Sequence, residues 1–404
     1  MTLLKDIVQI EKGRKYNLLE ENQQGAIRVF QANDFRNENK PLYTFDDDGV
    51  LANEDDIMLV WDGSVGQMGF GRRGYVGSTM VKLKVKNKKQ FSPFFIYRFL
   101  QTKSVYLKRK STGATIMHIN RKSLEQLEIP DLDLNEQLHI ANLLSKADNL
   151  ISQRKESIHL LDEFLKSTFL EMFYTNPETE NWNEAKFEEL ADKKKGSMRT
   201  GPFGSSLLHG EFKETGDVKV LGIDNIVTNR FDWKRSRCIT NEKYQELKRY
   251  RVFPNDVLIS IMATLGRTAV VPKDILLCIN SKHLAAITLD KEIANPYFVA
   301  YAFHSHPLIV RQLMKSVKGA IMDGLNLTII RRIKLKLPPV GLQNKFGETF
   351  IKTEALKTQY QQSLQELDNL YGSLCQRAFN GELSFKDEKL MIAAESGSVY
   401  KRKS

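Results

Sequence analysis

The feature that most limits what this chain can fold into is an internal duplication. Sliding the 404-residue sequence along itself by 206 positions, without a gap, places Gly113 on Gly319, Ala114 on Ala320, Asn120 on Asn326, Gln137 on Gln343, Lys146 on Lys352 and Leu150 on Leu356. The match runs on through Gln153/Gln359, Ser157/Ser363, Asp162/Asp368, Ser167/Ser373 and Phe173/Phe379. One phrase is nearly repeated, GATIMHIN from Gly113 and GAIMDGLN from Gly319.

Hydrophobic spacing agrees with the identities. Ile140, Leu144, Ala147, Ile151, Arg154, Ile158, Leu161, Leu165, Thr168 and Met172 alternate steps of four and three. The same register in the second copy gives Phe346, Phe350, Thr353, Lys357, Tyr360, Leu364, Leu367, Tyr371, Leu374 and Ala378. Mostly apolar heptads of this kind mark a coiled-coil helix. Each seam would extend roughly 48 Å at about 1.5 Å per residue. Asn176-Pro177 and Asn380-Gly381 supply stops. An apolar stripe of this length needs a partner, and each helix is the natural partner of the other.

The likeness also reaches upstream. Asp56-Ile-Met-Leu parallels Asp256-Val-Leu-Ile at an offset of 200, and Gly66 falls on Gly266. Ser92-Pro-Phe-Phe-Ile-Tyr parallels Asn295-Pro-Tyr-Phe-Val-Ala at an offset of 203, and Leu4-Lys-Asp-Ile…Gly13 parallels Phe187-Glu-Glu-Leu…Gly196. Within each copy, short β-rich runs such as Val81–Val85, Val257–Ile261 and Ala269–Val271 alternate with Gly or Pro punctuation. Helices are expected over Pro93–Thr102 and Pro296–Ser305, with Ser92 and Asn295 as N-caps.

The expected class is therefore α+β: two tandem pseudo-repeats, each a mixed α/β domain followed by a long helix, with the two helices packing as an antiparallel coiled coil. The segments are 1–134, a globular domain; 135–178, a long helix; 179–341, a second globular domain; 342–382, a second long helix; and 383–404, a flexible polar tail. The phrase ending at Asn120 and Asn326 reads as a turn and strand joining domain to helix.

Lysine and arginine number 60 against 49 acids, a net charge of +11. The excess suits a polyanionic partner, although a merely basic soluble protein has the same balance. Cys238, Cys278 and Cys375 are far apart and form neither a disulfide framework nor a metal-binding spacing. No apolar run approaches the ~18–20 residues of a membrane helix, and the N-terminal MTLLKDIVQIEKG has no apolar targeting core. A cytoplasmic location is expected, with no membrane association.

Catalytic motifs are not persuasive in either copy. Ser92-Pro-Phe-Phe95 and Asn295-Pro-Tyr-Phe298 lack the second proline of the Asp/Asn-Pro-Pro-Tyr/Phe motif of amino-methyltransferases. Gly63–Gly71 lacks the Gly-Lys-Ser/Thr ending of a phosphate loop. His304-Ser-His306 has no nearby acid or cysteine to complete a metal site, and Asp46-Asp-Asp48 reads as a polar turn. No catalytic residue and no metal site are assigned, and the chain is read as a binder.

Candidate nucleic-acid contacts in the first copy are Arg72, Arg73 and Tyr75, in the loop FGRRGYVG. Loop guanidiniums can take guanine edges and a tyrosine can stack or meet phosphate, and a solvated turn would have the same composition. Lys82 and Lys84 alternate with Val81, Leu83 and Val85, and so share a strand face that is either phosphate-facing or simply solvated. The comparable residues of the second copy are Arg199, Lys234, Arg235, Arg237, Arg249, Arg251 and Arg267. The helix-pairing candidates are Ile140, Leu144, Ile151, Ile158, Leu161 and Leu165 with Phe346, Phe350, Leu364, Leu367, Tyr371 and Leu374.

The order of these pieces resembles the specificity subunit of type I restriction-modification systems, over nearly the whole chain. The resemblance rests on Gly113…Leu127-Glu-Ile-Pro130…Leu134-Asn-Glu-Gln137-Leu-His-Ile140 running into the heptads, and on Arg199-Thr-Gly-Pro-Phe-Gly-Ser-Ser-Leu207 after Trp182. The second copy carries Leu337-Pro-Pro-Val-Gly-Leu-Gln-Asn-Lys345 in place of the Glu-Gln pair. The resemblance implies that each globular domain is a target-recognition domain reading half of a split double-stranded DNA sequence. It also implies that the helix pair is a ruler and a docking surface for two methyltransferase subunits, with a separate restriction and translocation subunit as a further partner. S-adenosylmethionine, ATP and Mg2+ would belong to those partners, and this chain would bind no cofactor. The alternative is a stand-alone DNA-binding regulator that dimerises through its coiled coil.

Overall fold

The computed structural model describes residues 1–35, 40–234, 236–262, 265–317 and 324–383. Arg235, Gly319–Asp323 of the second repeated phrase, and the tail beyond Leu383 lie outside the described residues. The chain forms two compact units: Met1–Lys155 with the chain from Gln362 onward, and Glu156–Gln361.

In the first unit, an antiparallel sheet has the order Val8–Lys12, Met80–Val85, Ile57–Val60, Met68–Gly69. A second sheet has the order Leu42–Thr44, Ile27–Phe30, Gly74–Val76, Leu51–Ala52, in which Ile27–Phe30 and Gly74–Val76 run parallel. Strand alternation assigns the two faces of the first sheet. Ile57, Leu59, Val81, Leu83 and Val85 join a core with Phe95, Phe99 and Leu124. Met58, Val60 and Met80 turn the other way, into a small core with Phe30, Ala52 and Val76 of the second sheet.

The second unit repeats the scheme. Its antiparallel sheet has the order Met198–Thr200, Leu284–Ile287, Val257–Ser260, Thr268–Val270. Its companion sheet places Val218–Leu221 between Cys238–Ile239 and the parallel Cys278–Asn280. A bridge from Arg251 to Ile279 stands where Leu51 pairs with Tyr75 in the first unit.

The strand registers correct one sequence equivalence. Gly13 follows strand Val8–Lys12, and its counterpart is Gly201 after Met198–Thr200, not Gly196. A Cβ on Gly13 would collide with the carbonyls of Val76 and Gly77, and one on Gly201 with the carbonyl of Asn280.

Each unit is closed by pairing its first strand with its last, Thr2–Leu3 with Glu128–Ile129 and Glu184–Lys186 with Lys334–Lys336. The repeated phrase has a different local job from the one expected. Gly113 takes φ +115°, as a turn glycine does. Asn120 then caps the helix Arg121–Glu125, its side chain accepting from the Ser123 N–H at 3.0 Å. Asn326 caps Leu327–Arg332 through the Ile329 N–H at 2.9 Å. The asparagines start short helices, because a side-chain oxygen can satisfy an N–H of the first turn that has no helical partner.

The helices Pro93–Thr102 and Pro296–Ser305 begin at the expected prolines. Ser92 Oγ accepts from Phe95 N–H at 3.4 Å, and Asn295 Oδ1 accepts from Tyr297 N–H at 2.9 Å. Behind each cap sits the glutamine matched in the sequence. The Ser92 N–H donates to Gln137 Oε1 at 2.9 Å, and Gln137 Nε2 donates to the carbonyls of Gln90 and Leu132. In the second unit the Asn295 N–H donates to Gln343 Oε1 at 2.9 Å, and Gln343 Nε2 donates to the carbonyls of Ile293 and Pro338. Both glutamines are fully buried. One buried amide thus ties the first turn of a long helix to the cap of a domain helix and satisfies three backbone groups.

The long helices are Leu134–Phe173 and Val340–Phe379, each of 40 residues. The second ends at Gly381, φ +76°, with Glu382 N–H donating to Arg377 O at 2.8 Å and Gly381 N–H to Ala378 O, a glycine C-cap of the Schellman type. In the first unit Ile140, Leu144 and Ala147 share a core with Leu374, Ala378 and Phe379, and Phe379 meets Phe99 edge-on at 5.2 Å. Ile151 is buried, while Leu364, Leu367 and Tyr371 are half-buried. In the second unit Phe169 and Phe173 pack on Phe346, and Lys357 pairs with Asp162. Here the two stretches run antiparallel, because the later residues of one meet the earlier residues of the other. Leu165 is buried there, and Ile158, Leu161 and Phe350 are half-buried.

Candidate nucleic-acid interface

The basic candidates divide into interior and surface groups. Three of them belong to the packed interior. Tyr75 is 5% exposed, stacks on Tyr16 at 5.1 Å and donates its hydroxyl to Asp47 O. Lys82 is 8% exposed; its ammonium pairs with Glu11 at 2.8 Å and donates to Leu51 O at 3.1 Å. Arg199 is 7% exposed, donates to Arg251 O at 2.7 Å and Thr288 Oγ1 at 3.0 Å, and pairs with Asp256. Burial raises the Asp256 carboxyl above its ordinary range, against the opposing pull of Arg199.

The reading of these side chains as DNA contacts is corrected by their burial: Lys82 and Arg199 lie between the two sheets of their units, and Tyr75, on the far face of the second sheet from Val76, is covered by Tyr16. Alternation along Met80–Val85 identifies the common face of Lys82 and Lys84 but not what covers it. The strand Leu51–Ala52 supplies the carbonyl over Lys82, whereas Lys84 is exposed.

In the first unit Arg73 is exposed and Arg72 is half-buried, its guanidinium 6.0 Å from the Phe35 ring. In the second unit Trp233 is 44% exposed and meets Phe231 edge-on at 5.1 Å. Lys234 is exposed and pairs with Asp232 at 2.8 Å; Arg237 is half-buried and pairs with Asp224. Trp233, Lys234 and Arg237 line one hollow together with Lys219, and Lys234 and Arg237 line a neighbouring one with His283.

Arg251 is exposed, 5.1 Å from the Phe253 ring, and Arg199 approaches the same ring at 5.2 Å. Arg249 is exposed and donates to the Tyr250 hydroxyl at 2.6 Å. Arg267 is exposed beside an apolar hollow lined by Leu265, Phe303 and Met314. The structure thus brings Lys234 and Arg237 together on one loop.

Two features were missed by charge counting. Trp233 gives the basic loop an exposed aromatic face, the composition that stacks on bases or sugars, and its place beside Lys234 was readable. In the first unit Asp62 accepts from Lys12 at 2.6 Å and from His118 at 2.7 Å. Burial pushes the Asp62 carboxyl up, but those two partners outweigh it and hold it below the usual range. These contacts join residues 50 and 56 positions apart, which spacing does not reveal.

His304 lies in the last turn of Pro296–Ser305; its Nδ1 is 2.9 Å from Thr268 Oγ1 and 3.0 Å from Ala300 O, and burial lowers its pKa to about 4. Among the described residues no group of three or more His, Cys, Asp or Glu is arranged to hold a metal ion. No described helix is long and apolar enough to cross a membrane.

Two segments, 2–160 and 179–367, match the family described as type I restriction modification DNA specificity domain. A specificity subunit of the type I restriction enzyme MjaVIII from Methanocaldococcus jannaschii is 27% identical over 317 residues, covering 74% of this chain and 72% of that protein. The EcoBI specificity subunit of Escherichia coli is 21% identical over 370 residues, covering 83% and 75%. The fold is similar to that of the S subunit of a type I restriction-modification system from M. genitalium, with a TM-score of 0.62, 17% identity, and coverage of 94% of this chain and 95% of that one. A chain from a structure concerned with complex assembly and conformational transition of the type I system has a TM-score of 0.56 at 14% identity, covering 95% and 97%. With both copies matched, the chain belongs to the type I restriction-modification DNA specificity family, as a specificity subunit with two target-recognition domains.

Proposed function

We propose that this chain reads a bipartite, asymmetric double-stranded DNA target, one half-site per unit. The long helices pair as an antiparallel coiled coil that sets the half-site separation and docks two methyltransferase subunits. The chain contributes recognition and no chemistry, in the cytoplasm. S-adenosylmethionine, ATP and Mg2+ are bound by partner subunits, which include a restriction and translocation subunit where one is encoded.

The observation that carries this reading is a scaffold used twice with different surfaces. Both units share strand order and the buried glutamine tie, yet the first offers Arg73 and Lys84 where the second offers Trp233, Lys234 and Arg251. Arg199, Lys82 and Tyr75 act inside the scaffold, and the exposed cations serve as the phosphate and base contacts. Tandem copies related by a helix pair resemble the dimers that engage half-sites about 34–36 Å apart.

Mapping methylated adenines across the genome with and without this gene tests the function: one two-part motif should vanish. Loss of no motif, with specific binding by the isolated chain, would favour the stand-alone regulator. Replacing Leu161 and Leu367 together by glutamate should abolish co-purification with the methyltransferase, since it puts charges into both seams.

A further inference from the structure

The basic loop of the second unit is tied to a long helix. Its first residue, Asn229, takes φ +57°, and its side chain accepts from the Thr268 N–H at 3.2 Å. Arg230 then reaches Glu354 on the second long helix, with Nη2 donating to Oε1 at 2.9 Å and Nε pairing with Oε2. The pair is bidentate, the geometry in which a guanidinium fixes direction as well as distance. It is also sheltered, with 24% of the arginine side chain and 19% of the glutamate side chain exposed. One turn along the same helix, Lys357 pairs with Asp162 of the first long helix. Trp233 and Lys234 follow Arg230 by three and four residues.

The first unit handles the matching acid differently. Asp148 lies 206 positions before Glu354, and its carboxylate pairs with Arg98 at 2.9 Å. Arg98 belongs to the domain helix Pro93–Thr102 and also donates to Ser145 Oγ. In the second unit the position matching Arg98 is Tyr301, which has no charge to offer. The long-helix acid is kept, and its cation comes from the loop that carries Trp233 and Lys234.

We propose that Arg230 is a positioning residue that registers the reading loop of the second unit to the spacer helix, so that the second half-site is accepted at one separation from the first. The proposal rests on the two-half-site reading above. Burial raises the Glu354 carboxyl above its ordinary range, and Arg230 and Lys357 pull against it. Loss of the pair frees the loop without removing any residue that reads DNA.

The test uses the assembled methyltransferase complex on DNA duplexes carrying the native spacing, or one base pair more or less, and on duplexes with single changes in each half-site. Arg230→Ala should reduce discrimination against the wrong spacings by about tenfold, a scale between that of an exposed ion pair and that of a fully buried one. Discrimination at the first half-site should stay as in the wild type. The exchange Arg230→Glu with Glu354→Arg should restore spacing discrimination, a recovery that general destabilisation would not show. Glu354→Gln, which keeps the side-chain shape, covers the case in which the alanine variant fails to assemble. Wild-type spacing discrimination in both single variants, or a loss that the exchange does not repair, overturns the proposal. If the wild-type complex itself shows no two-part target, the functional reading fails first, and the positioning role fails with it.

Discussion

The two units solve the same interior problem with cations from different strands. In the first, Lys82 on the second strand of the sheet reaches Leu51 O and pairs with Glu11 on the first strand. In the second, Ala286 stands at the position of Lys82, and Arg199, opposite it on the first strand, reaches Arg251 O and pairs with Asp256. Leu51 and Arg251 are matching residues, so a backbone carbonyl at the same place between the sheets receives a cation in both units. The need is set by the backbone, since a buried carbonyl without a donor is costly. Which strand supplies the donor is free to differ, provided an acid lies within its reach. Asp56, which matches Asp256, receives no arginine; its Oδ1 is buried without a hydrogen-bond partner among the described residues.

This difference predicts unequal costs. Arg199→Met would strand the fully buried Asp256 carboxylate and should destabilise the second unit by about 3–5 kcal/mol. Lys82→Met leaves Glu11, which is one-third exposed, and should cost only about 1 kcal/mol. Denaturant unfolding of the two variants checks the order, and equal losses would break the comparison. The glutamine ties should behave alike instead. Gln137→Ala and Gln343→Ala each leave one N–H and two carbonyls without their partner, and each should cost about 1–3 kcal/mol. Hydrogen exchange at Ser92 and Asn295 would report the loss locally.

The smallest expected effect is specific to the first unit. Asp62 has a folded pKa below its unfolded value, so its contribution is present above about pH 4 and is lost as pH falls through the folded value. Asp62→Asn should flatten that part of the stability curve and leave the second unit unchanged. An unaltered acid limb would show that the Lys12 and His118 contacts contribute nothing.

Much of the scaffold was legible because its signals are local or periodic. Proline at the first helical position and a capping side chain fixed the starts at Pro93 and Pro296, and heptad spacing with Gly381 marked the second long helix. Long-range cover was not legible. Lys82 and Arg199 look like surface residues until the second sheet is laid over them, and Tyr75 until Tyr16 stacks on it; alternation carries no information about those layers. Asn120 and Asn326 were recognised as a repeated signal, but the choice between turn and N-cap depended on the short helices that follow. In the candidate interface, the sequence located the loop bearing Lys234 and Arg237, but the link from Arg230 to Glu354 spans 124 positions and appears only in three dimensions.

The central claim is that the two units read DNA independently. Exchanging residues 1–134 for the corresponding region of a related specificity subunit, then mapping methylated adenines, tests it most directly. The account predicts a new first half-site beside an unchanged second half-site at the original spacing. A change in both half-sites would contradict it.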